Sequence, residues 1–335
     1  MRVRDTDWEG VRLHVVTGKG GTGKTTVAAA LALALASGGR RVLLIEVEGR
    51  QGIAQVFDRP PLPYGERKVA VAPATATRPG GEVYALAADP ESALLEYLAM
   101  FYNLRHAGTA LTKLGVVDFA TTIAPGVRDV LLTGKAAEAT RRREAGGHTY
   151  DAVVMDAPPT GQIGRFLNVT AEVSGLARVG PIRSHADTVQ KVISSPETAV
   201  HFVTVLEEMP VQETLDGVAE LAELGLQPGG IMINMVHPPL ALSADQLRAT
   251  AGGSVDTAEL AASLKAAGLD DGGSLAADLT AELVEQARTV TSQRAQRRRL
   301  AAAGQPRYDL PMIADGIDLA GLYRIAAALR DQGAA

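Results

Sequence analysis

The segment Gly-Lys-Gly-Gly-Thr-Gly-Lys-Thr at residues 18–25 has the spacing G-x-x-x-x-G-K-[ST]. Glycines at these positions let successive backbone N–H groups turn inward around phosphate oxygens, where a Cβ would collide. The segment follows an apolar run ending in Val-Val-Thr and precedes an Ala- and Leu-rich helical run, whose N-terminal end adds positive partial charge. This context predicts a cradle for the phosphates of a nucleotide. A glycine-rich loop that matches by chance is the alternative interpretation.

The cradle also supplies side chains of two kinds. Lys24 is expected to neutralise β- and γ-phosphate oxygens, and the hydroxyl of Thr25 to coordinate Mg²⁺. The predicted nucleotide-binding residues of this segment are Gly18, Lys19, Gly20, Gly21, Thr22, Gly23, Lys24, Thr25 and Thr26.

Lys19 gives the loop a second lysine, in the order Lys-Gly-Gly-x-Gly-Lys-Thr. This order resembles the variant loop of dimeric P-loop ATPases. The resemblance implies that Lys19 reaches the nucleotide of a partner subunit, like an arginine finger supplied in trans. The alternative is a solvated loop lysine.

Short runs rich in Val, Ile and Leu alternate with segments of helical spacing along the chain. This alternation predicts βαβ units and an α/β fold of the P-loop NTPase type, with a doubly wound, mostly parallel sheet and helical insertions. The predicted strands are residues 11–17, 41–47, 83–88, 152–156, 200–206, 231–234 and 308–312. Residues 58–82, rich in Pro, Gly and Ala, are predicted to form a surface connection, with one short strand as an option.

The chain is interpreted as one P-loop domain over residues 11–335, preceded by a flexible tail over 1–10. Helical insertions are expected at about 90–120, 165–198 and 240–303. Asp89-Pro90-Glu91 combines an N-cap, a first-turn proline and an acid, which predicts the start of a helix. Ser243 and Gln246 have capping-box spacing and predict another.

Composition excludes several classes of function. The 335 residues carry 33 Lys and Arg against 38 Asp and Glu, a formal net charge of −5, which disfavours nucleic acid as a partner. The absence of cysteine excludes a disulfide framework, thiolate metal sites and a cysteine nucleophile. No apolar run approaches the roughly 20 residues that span a bilayer, and the N-terminus lacks a signal-peptide pattern. We therefore expect no integral membrane span and a cytoplasmic location.

Further segments resemble the ArsA-type ATPases, the family of arsenite-pump ATPases and of ATPases that guide tail-anchored membrane proteins. Residues 43–57 are similar to a family stretch of the form Asp-Pro-Ala-His, which places Glu48 at the position of a water-positioning aspartate. Residues 153–167 resemble the Walker B region and its continuation. There the resemblance implies that Asp156 holds Mg²⁺ through water, and that a switch formed by Pro159, Thr160 and Gly161 senses the γ-phosphate.

Three more segments follow the order of the family. Residues 120–131 resemble a Pro-Gly-x-x-Glu segment, with Asp129 at the acidic position. Residues 232–238 resemble the strand whose asparagine, here Asn234, contacts the adenine edge, and residues 310–322 resemble the loop that packs on that base. Together the segments cover most of the chain. The similarity is closest to short, cysteine-free, actinobacterial-type members, which commonly occur as pairs of related chains.

The resemblance implies a Mg²⁺-dependent ATPase that binds ATP and ADP and acts as a nucleotide-switched dimer, with Lys19, Lys24, Glu48 and Asp156 in catalysis. Whether the partner is a second copy or a related chain stays open. A metalloid is held by thiolates, so a cysteine-free chain is predicted to lack an arsenite site. The alternative is a catalytically weak, ATP-binding regulatory or scaffold subunit, because glutamate replaces aspartate at Glu48 and Gly-Arg-Gln replaces Pro-Ala-His. An apolar client protein is a further possible partner.

Overall fold

An eight-stranded sheet forms the centre of the protein in the computed structural model. Its strand order is β10-β9-β8-β1-β7-β2-β4-β3. The structure describes residues 6–74, 79–102, 125–144, 146–174, 181–269, 274–314 and 316–335. The strands are β1 (Leu13–Gly18), β2 (Arg41–Glu46), β3 (Arg67–Val71), β4 (Glu82–Ala87), β5 (Arg143–Glu144), β6 (Gly147–His148), β7 (Ala152–Asp156), β8 (Thr198–Thr204), β9 (Pro228–Val236) and β10 (Arg307–Pro311), of which β5 and β6 form a separate hairpin.

The sheet is parallel except at one edge, where β3 pairs antiparallel with β4. β1 lies between β7 and β8, so its carboxyl end opens at the middle of the sheet. The predicted α/β fold with a mostly parallel sheet is confirmed. The optional strand of the 58–82 connection is β3, whose side chains Val69 and Ala70 are buried against the sheet's core.

Helices cover both faces of the sheet. The described helices are α1 (Lys24–Ala36), α2 (Gly52–Val56), α3 (Pro90–Tyr102), α4 (Pro125–Arg141), α5 (Thr160–Leu167), α6 (Val169–Ser174), α7 (Pro181–Ile193), α8 (Glu208–Glu223), α9 (Ala244–Ala251), α10 (Thr257–Ala266), α11 (Ser274–Leu300) and α12 (Leu319–Asp331). α1, α2 and α12 share one core, and α4, α5, α7 and α8 share the core on the opposite face. The cap of α9 is the predicted capping box, and Asp89 Oδ1 accepts from the N–H of Ser92 at the start of α3 (2.8 Å). Within the described ranges, none of the helices has the length and apolarity needed to cross a bilayer.

The helices of the three predicted insertions pack in different ways in the described part of the chain. In the 165–198 region, Phe166, Leu167, Val189 and Ile193 are buried in the core of one sheet face, so α5 and α7 pack on the sheet. In the 90–120 region, residues 103–120 lie outside the described residues, and α3 packs on α4. Helices α9 to α11 pack mainly on one another, and α10 buries none of its residues.

The N-terminal residues that the structure describes pack against the sheet rather than extending as a free tail. Trp8 is buried, and its indole N–H donates to the hydroxyl of Tyr308 (3.0 Å), which itself donates to Asp7 (2.7 Å). Residues 6–8 of the expected flexible tail over 1–10 are thus held by contacts with the rest of the chain. The single tryptophan is the signal that indicates this contact, since an indole is costly to leave in solvent.

Two histidines are buried side by side in the sheet. Nδ1 of His14 on β1 lies 3.0 Å from Nε2 of His201 on β8. Because the N–H of Gly230 donates to Nδ1 of His201 (3.1 Å), neutral His201 carries its proton on Nε2 and donates it to His14. Burial lowers the pKa of both rings, that of His14 to about 4. The pair is therefore held in its neutral form.

We expect the stability of the fold to decrease as the pH falls below about 6.5. The folded pKa values lie below those of the unfolded chain, so the unfolded state binds more protons and stability is complete only above the unfolded value. Each histidine contributes a slope of up to about 1.4 kcal/mol per pH unit. Urea unfolding of Asp156→Asn at pH 7.5 and 5.5 measures the loss, because the raised pKa of Asp156, about 7, would otherwise add stability over the same pH range. Equal stability at the two pH values would contradict the prediction.

Candidate nucleotide-binding site

The predicted phosphate loop lies at the carboxyl end of β1, directly before α1. Gly21 and Gly23 adopt left-handed φ angles of 88° and 85°, which glycine adopts without strain. A Cβ added to Gly18 would lie 2.2 Å from the carbonyl oxygen of Val203 on β8, whereas one added to Gly20 would have no atom within 4 Å among the described residues. The loop therefore packs closely on the sheet at its start and is open at its centre.

Buried polar contacts hold the backbone of the loop. The hydroxyl of Thr22 donates to the carbonyl of Lys19 (2.8 Å). Asn234, on β9, is buried and donates its side-chain N–H to the carbonyl of Thr22 (2.9 Å). A Cβ on Gly23 would lie 2.4 Å from that same amide nitrogen. Asn234 thus supports the loop itself, a contact that the expected adenine recognition did not include.

Lys24, Thr25 and Thr26 form the first turn of α1, and Thr25 joins that turn to the end of β7. Its hydroxyl donates to Oδ2 of Asp156 (2.7 Å). The other carboxylate oxygen, Oδ1, is buried and has no hydrogen-bond partner in the described part of the chain. The pKa of Asp156 is raised to about 7, mainly by burial; the Thr25 hydrogen bond and Lys24 lower it in part, and the neighbouring charges of Glu46 and Glu48 add to the rise.

These features fit a divalent cation beside Thr25 and Asp156. A hydroxyl, a buried carboxylate and the phosphate oxygens of a nucleotide are the hard oxygen ligands that Mg²⁺ prefers, with water completing the coordination. The unpartnered Oδ1 is the clearest sign, because a buried carboxylate oxygen without a partner is costly. The described residues contain no cluster of three or more His, Asp or Glu that could hold a metal alone. The nucleotide would therefore supply part of the coordination.

A carboxylate that sequence reasoning missed lies next to Asp156. Glu46 ends β2 in register with Asp156 on β7, and it is 2% exposed. Its two oxygens accept from the N–H groups of Gly52 (3.2 Å) and Ile53 (3.1 Å), the first residues of α2. Glu46 thereby fixes the segment that carries Glu48. The signal in the sequence is a lone acid inside the apolar run Leu-Leu-Ile-Glu-Val.

Glu48 is less constrained than Glu46. It lies 3.6 Å from Arg50, whose side chain is 77% exposed, and both line a cavity of about 410 Å³. Asp129 lines the same cavity, so the structure brings together the two acidic positions that the resemblance singled out. The remaining lining residues include Arg128, Gln162, Arg165 and Phe166.

The predicted switch residues lie between the end of β7 and the first turn of α5. Pro159 precedes α5, Thr160 begins it, and a Cβ added to the following Gly161 would have no atom of the described residues within 4 Å. The hydroxyl of Thr17, on β1, donates to the carbonyl of Pro158 (2.7 Å), so the phosphate loop and the switch are tied at their bases. Thr160 is buried, and a Cβ added to Gly217 of α8 would lie 2.5 Å from its Cγ2.

Lys19 was expected to reach the nucleotide of a partner subunit, but the structure gives it an acceptor within its own chain. Its ammonium pairs with Glu213 on α8 of the same chain, and both side chains are one-third exposed. The backbone of Lys19 is fixed by Thr22, so only its side chain is free to take another direction.

A phosphate loop between β1 and α1, followed by an acid at the end of the neighbouring β7 in a parallel sheet, defines a P-loop NTPase. The family described as anion-transporting ATPases (ArsA) matches residues 11–195, and the chain belongs to this family. The resemblance drawn from the sequence is therefore confirmed.

Individual relatives agree with this assignment. The chain is 52% identical to the ATPase BagA of Mycobacterium tuberculosis over 325 residues, which cover 97% of this chain and 94% of that protein. It is 28% identical to an arsenical pump-driving ATPase of Acidiphilium multivorum over 263 residues, 70% of this chain and 41% of that protein. It is 25% identical to the ATPase GET3 of Kluyveromyces lactis over 258 residues, 66% of this chain and 71% of that protein.

Two glycine substitutions test where the phosphate loop is packed against the sheet and where it has space for a side chain. Gly18→Ala places a Cβ against the backbone oxygen of Val203, which cannot move without disturbing β8, and should cost about 1–3 kcal/mol of folding stability. Gly20→Ala meets no neighbour and should change stability by less than about 0.5 kcal/mol. Chemical denaturation of both variants measures the difference. Equal losses would show that the loop is not packed in this way.

Proposed function

We propose that the chain is a Mg²⁺-dependent ATPase that hydrolyses ATP to ADP and phosphate at this site. The observation that carries the proposal is the contact between Thr25 and Asp156, with a buried, unpartnered carboxylate oxygen beside an open glycine loop. Membership of an ATPase family supports the reaction class.

Each residue has a distinct role in this proposal. The N–H groups of the loop bind the β- and γ-phosphates, and Lys24, which is mostly buried, offsets their charge. Thr25 and Asp156 would hold Mg²⁺, which supplies positive charge to the phosphate oxygens when it is bound. Glu48 orients the attacking water, and the switch at Pro159, Thr160 and Gly161 responds to the γ-phosphate.

We further propose that the working form is a dimer, either of two copies or with a related chain, that closes on ATP and opens after hydrolysis. The support is the second loop lysine: Lys19 is one-third exposed at the edge of the loop, where it is accessible to a partner's nucleotide. Because the chain contains no cysteine, this proposal includes no thiolate site for arsenite.

The two loop lysines should respond differently to substitution. Lys24→Ala removes a charge-assisted contact with the phosphates and should weaken ATP binding by roughly 10- to 100-fold. Lys19→Ala should keep ATP binding but lower turnover by about 10³-fold, the effect of a missing arginine finger. Equilibrium binding and phosphate release are the measurements. Wild-type turnover by Lys19→Ala would refute the in-trans role, and undetectable ATP binding by the wild type would refute the whole proposal.

A second candidate function is an ATP-binding regulatory or scaffold subunit whose partner chain supplies the catalysis. The observation that favours it is Glu48, which is one methylene longer than aspartate and lies beside the exposed Arg50. A displacement of about 1 Å at a catalytic group can cost about 100-fold in rate.

Glu48→Asp distinguishes the two candidate functions. If Glu48 positions the attacking water, Glu48→Asp should change the rate of phosphate release by at least about tenfold in either direction, because the carboxylate moves. The wild-type chain should show a measurable rate in the same assay. Near-zero and equal rates in both proteins would instead favour the scaffold.

A further inference from the structure

Lys19, the residue assigned to the partner's nucleotide, is held within its own chain. Its ammonium is paired with the carboxylate of Glu213, on the second turn of α8. Both side chains are 33% exposed, so the pair is in contact with solvent and its net energy is small. Such a pair can be exchanged for a stronger one at little cost.

The geometry of the loop permits that exchange by a side-chain movement alone. The carbonyl of Lys19 accepts from the N–H (3.3 Å) and the hydroxyl (2.8 Å) of Thr22, which fixes the backbone at this point. The four-carbon side chain of lysine can then turn from one acceptor to another. A triphosphate offers several negative charges, whereas Glu213 offers one.

The helix that carries Glu213 also contacts the switch. Gly217, one turn further along α8, packs against Thr160, and a Cβ added to Gly164 on α5 would lie 2.1 Å from Oε1 of Glu220. α8 therefore lies against both the phosphate loop, through Glu213, and the switch helix. A movement of α5 would be transmitted to the position of Glu213.

We propose that Glu213 is a positioning residue that withholds Lys19 inside its own subunit until the dimer closes. Glu213 competes with the partner's nucleotide for the same ammonium, and its release is a step of dimer closure. This inference rests on the proposed in-trans role of Lys19. Nothing in the sequence near the loop indicates it, because 194 positions separate the two residues.

The test compares Glu213→Gln with wild type in ATP-dependent dimer formation and in steady-state phosphate release. Glutamine keeps the shape of the side chain and removes its charge. If Glu213 withholds Lys19, dimer formation measured by light scattering should reach its half-maximum at an ATP·Mg²⁺ concentration about two- to fivefold lower than in wild type. This change corresponds to the energy of an exposed ion pair. Glu223→Gln, an exposed acid on the same helix, is the matched control and should behave as wild type.

Two further variants test whether the effect depends on the charge of Glu213 and acts through Lys19. Glu213→Asp retains the charge and should stay near wild type, which a loss of packing alone would not reproduce. In the Lys19→Ala background, Glu213→Gln should have no additional effect on dimer formation. An unchanged midpoint in Glu213→Gln, or a lowered kcat without a shift in the midpoint, would overturn the proposal. Wild-type turnover by Lys19→Ala would instead refute the in-trans role itself.

Discussion

The hydrogen bond between Thr25 and Asp156 is the interaction on which the site depends. It joins the first turn of α1 to the end of β7, two elements that meet only because β7 is the neighbour of β1 in the sheet. A parallel sheet brings the carboxyl ends of its strands to one edge, so residues distant in sequence converge there. The hydroxyl and the carboxylate are thereby placed beside the phosphate loop by the strand order of the sheet.

Electrostatics makes that edge suitable for a cation. Asp156 and Glu46 are both buried in register on adjacent strands, and Glu48 follows two residues later. Glu46 is neutralised in part by two N–H groups of α2, whereas Asp156 has an unpartnered oxygen among the described residues and a pKa raised by burial. The pKa of a carboxylate in this condition is lowered by a cation, so binding would stabilise its charged form.

Much of this arrangement could be predicted from the sequence, because it is encoded locally. The loop and its flanking strand and helix lie within a continuous segment, and Asp156 ends an apolar run that is buried on both faces of the sheet. The burial of α7 on the sheet was harder to predict, because polar residues such as Arg183 and Asp187 obscure the buried stripe of Ala186, Val189 and Ile193. Amphipathic helices on a sheet face and helices outside it have similar composition.

The contacts that could not be predicted are those made across the fold. Asn234 supports the loop from β9, Glu46 orders α2, and Glu213 holds Lys19 from α8; each pairing depends on tertiary packing. They share a consequence for function. The loop packs closely at Gly18 and beside Asn234, whereas the side chain of Lys19 is one-third exposed and its partner Glu213 lies on a helix that also contacts the switch. If Glu213 withholds Lys19 as proposed, such a site would keep its phosphate geometry constant while the nucleotide state changes the acceptor that Lys19 binds.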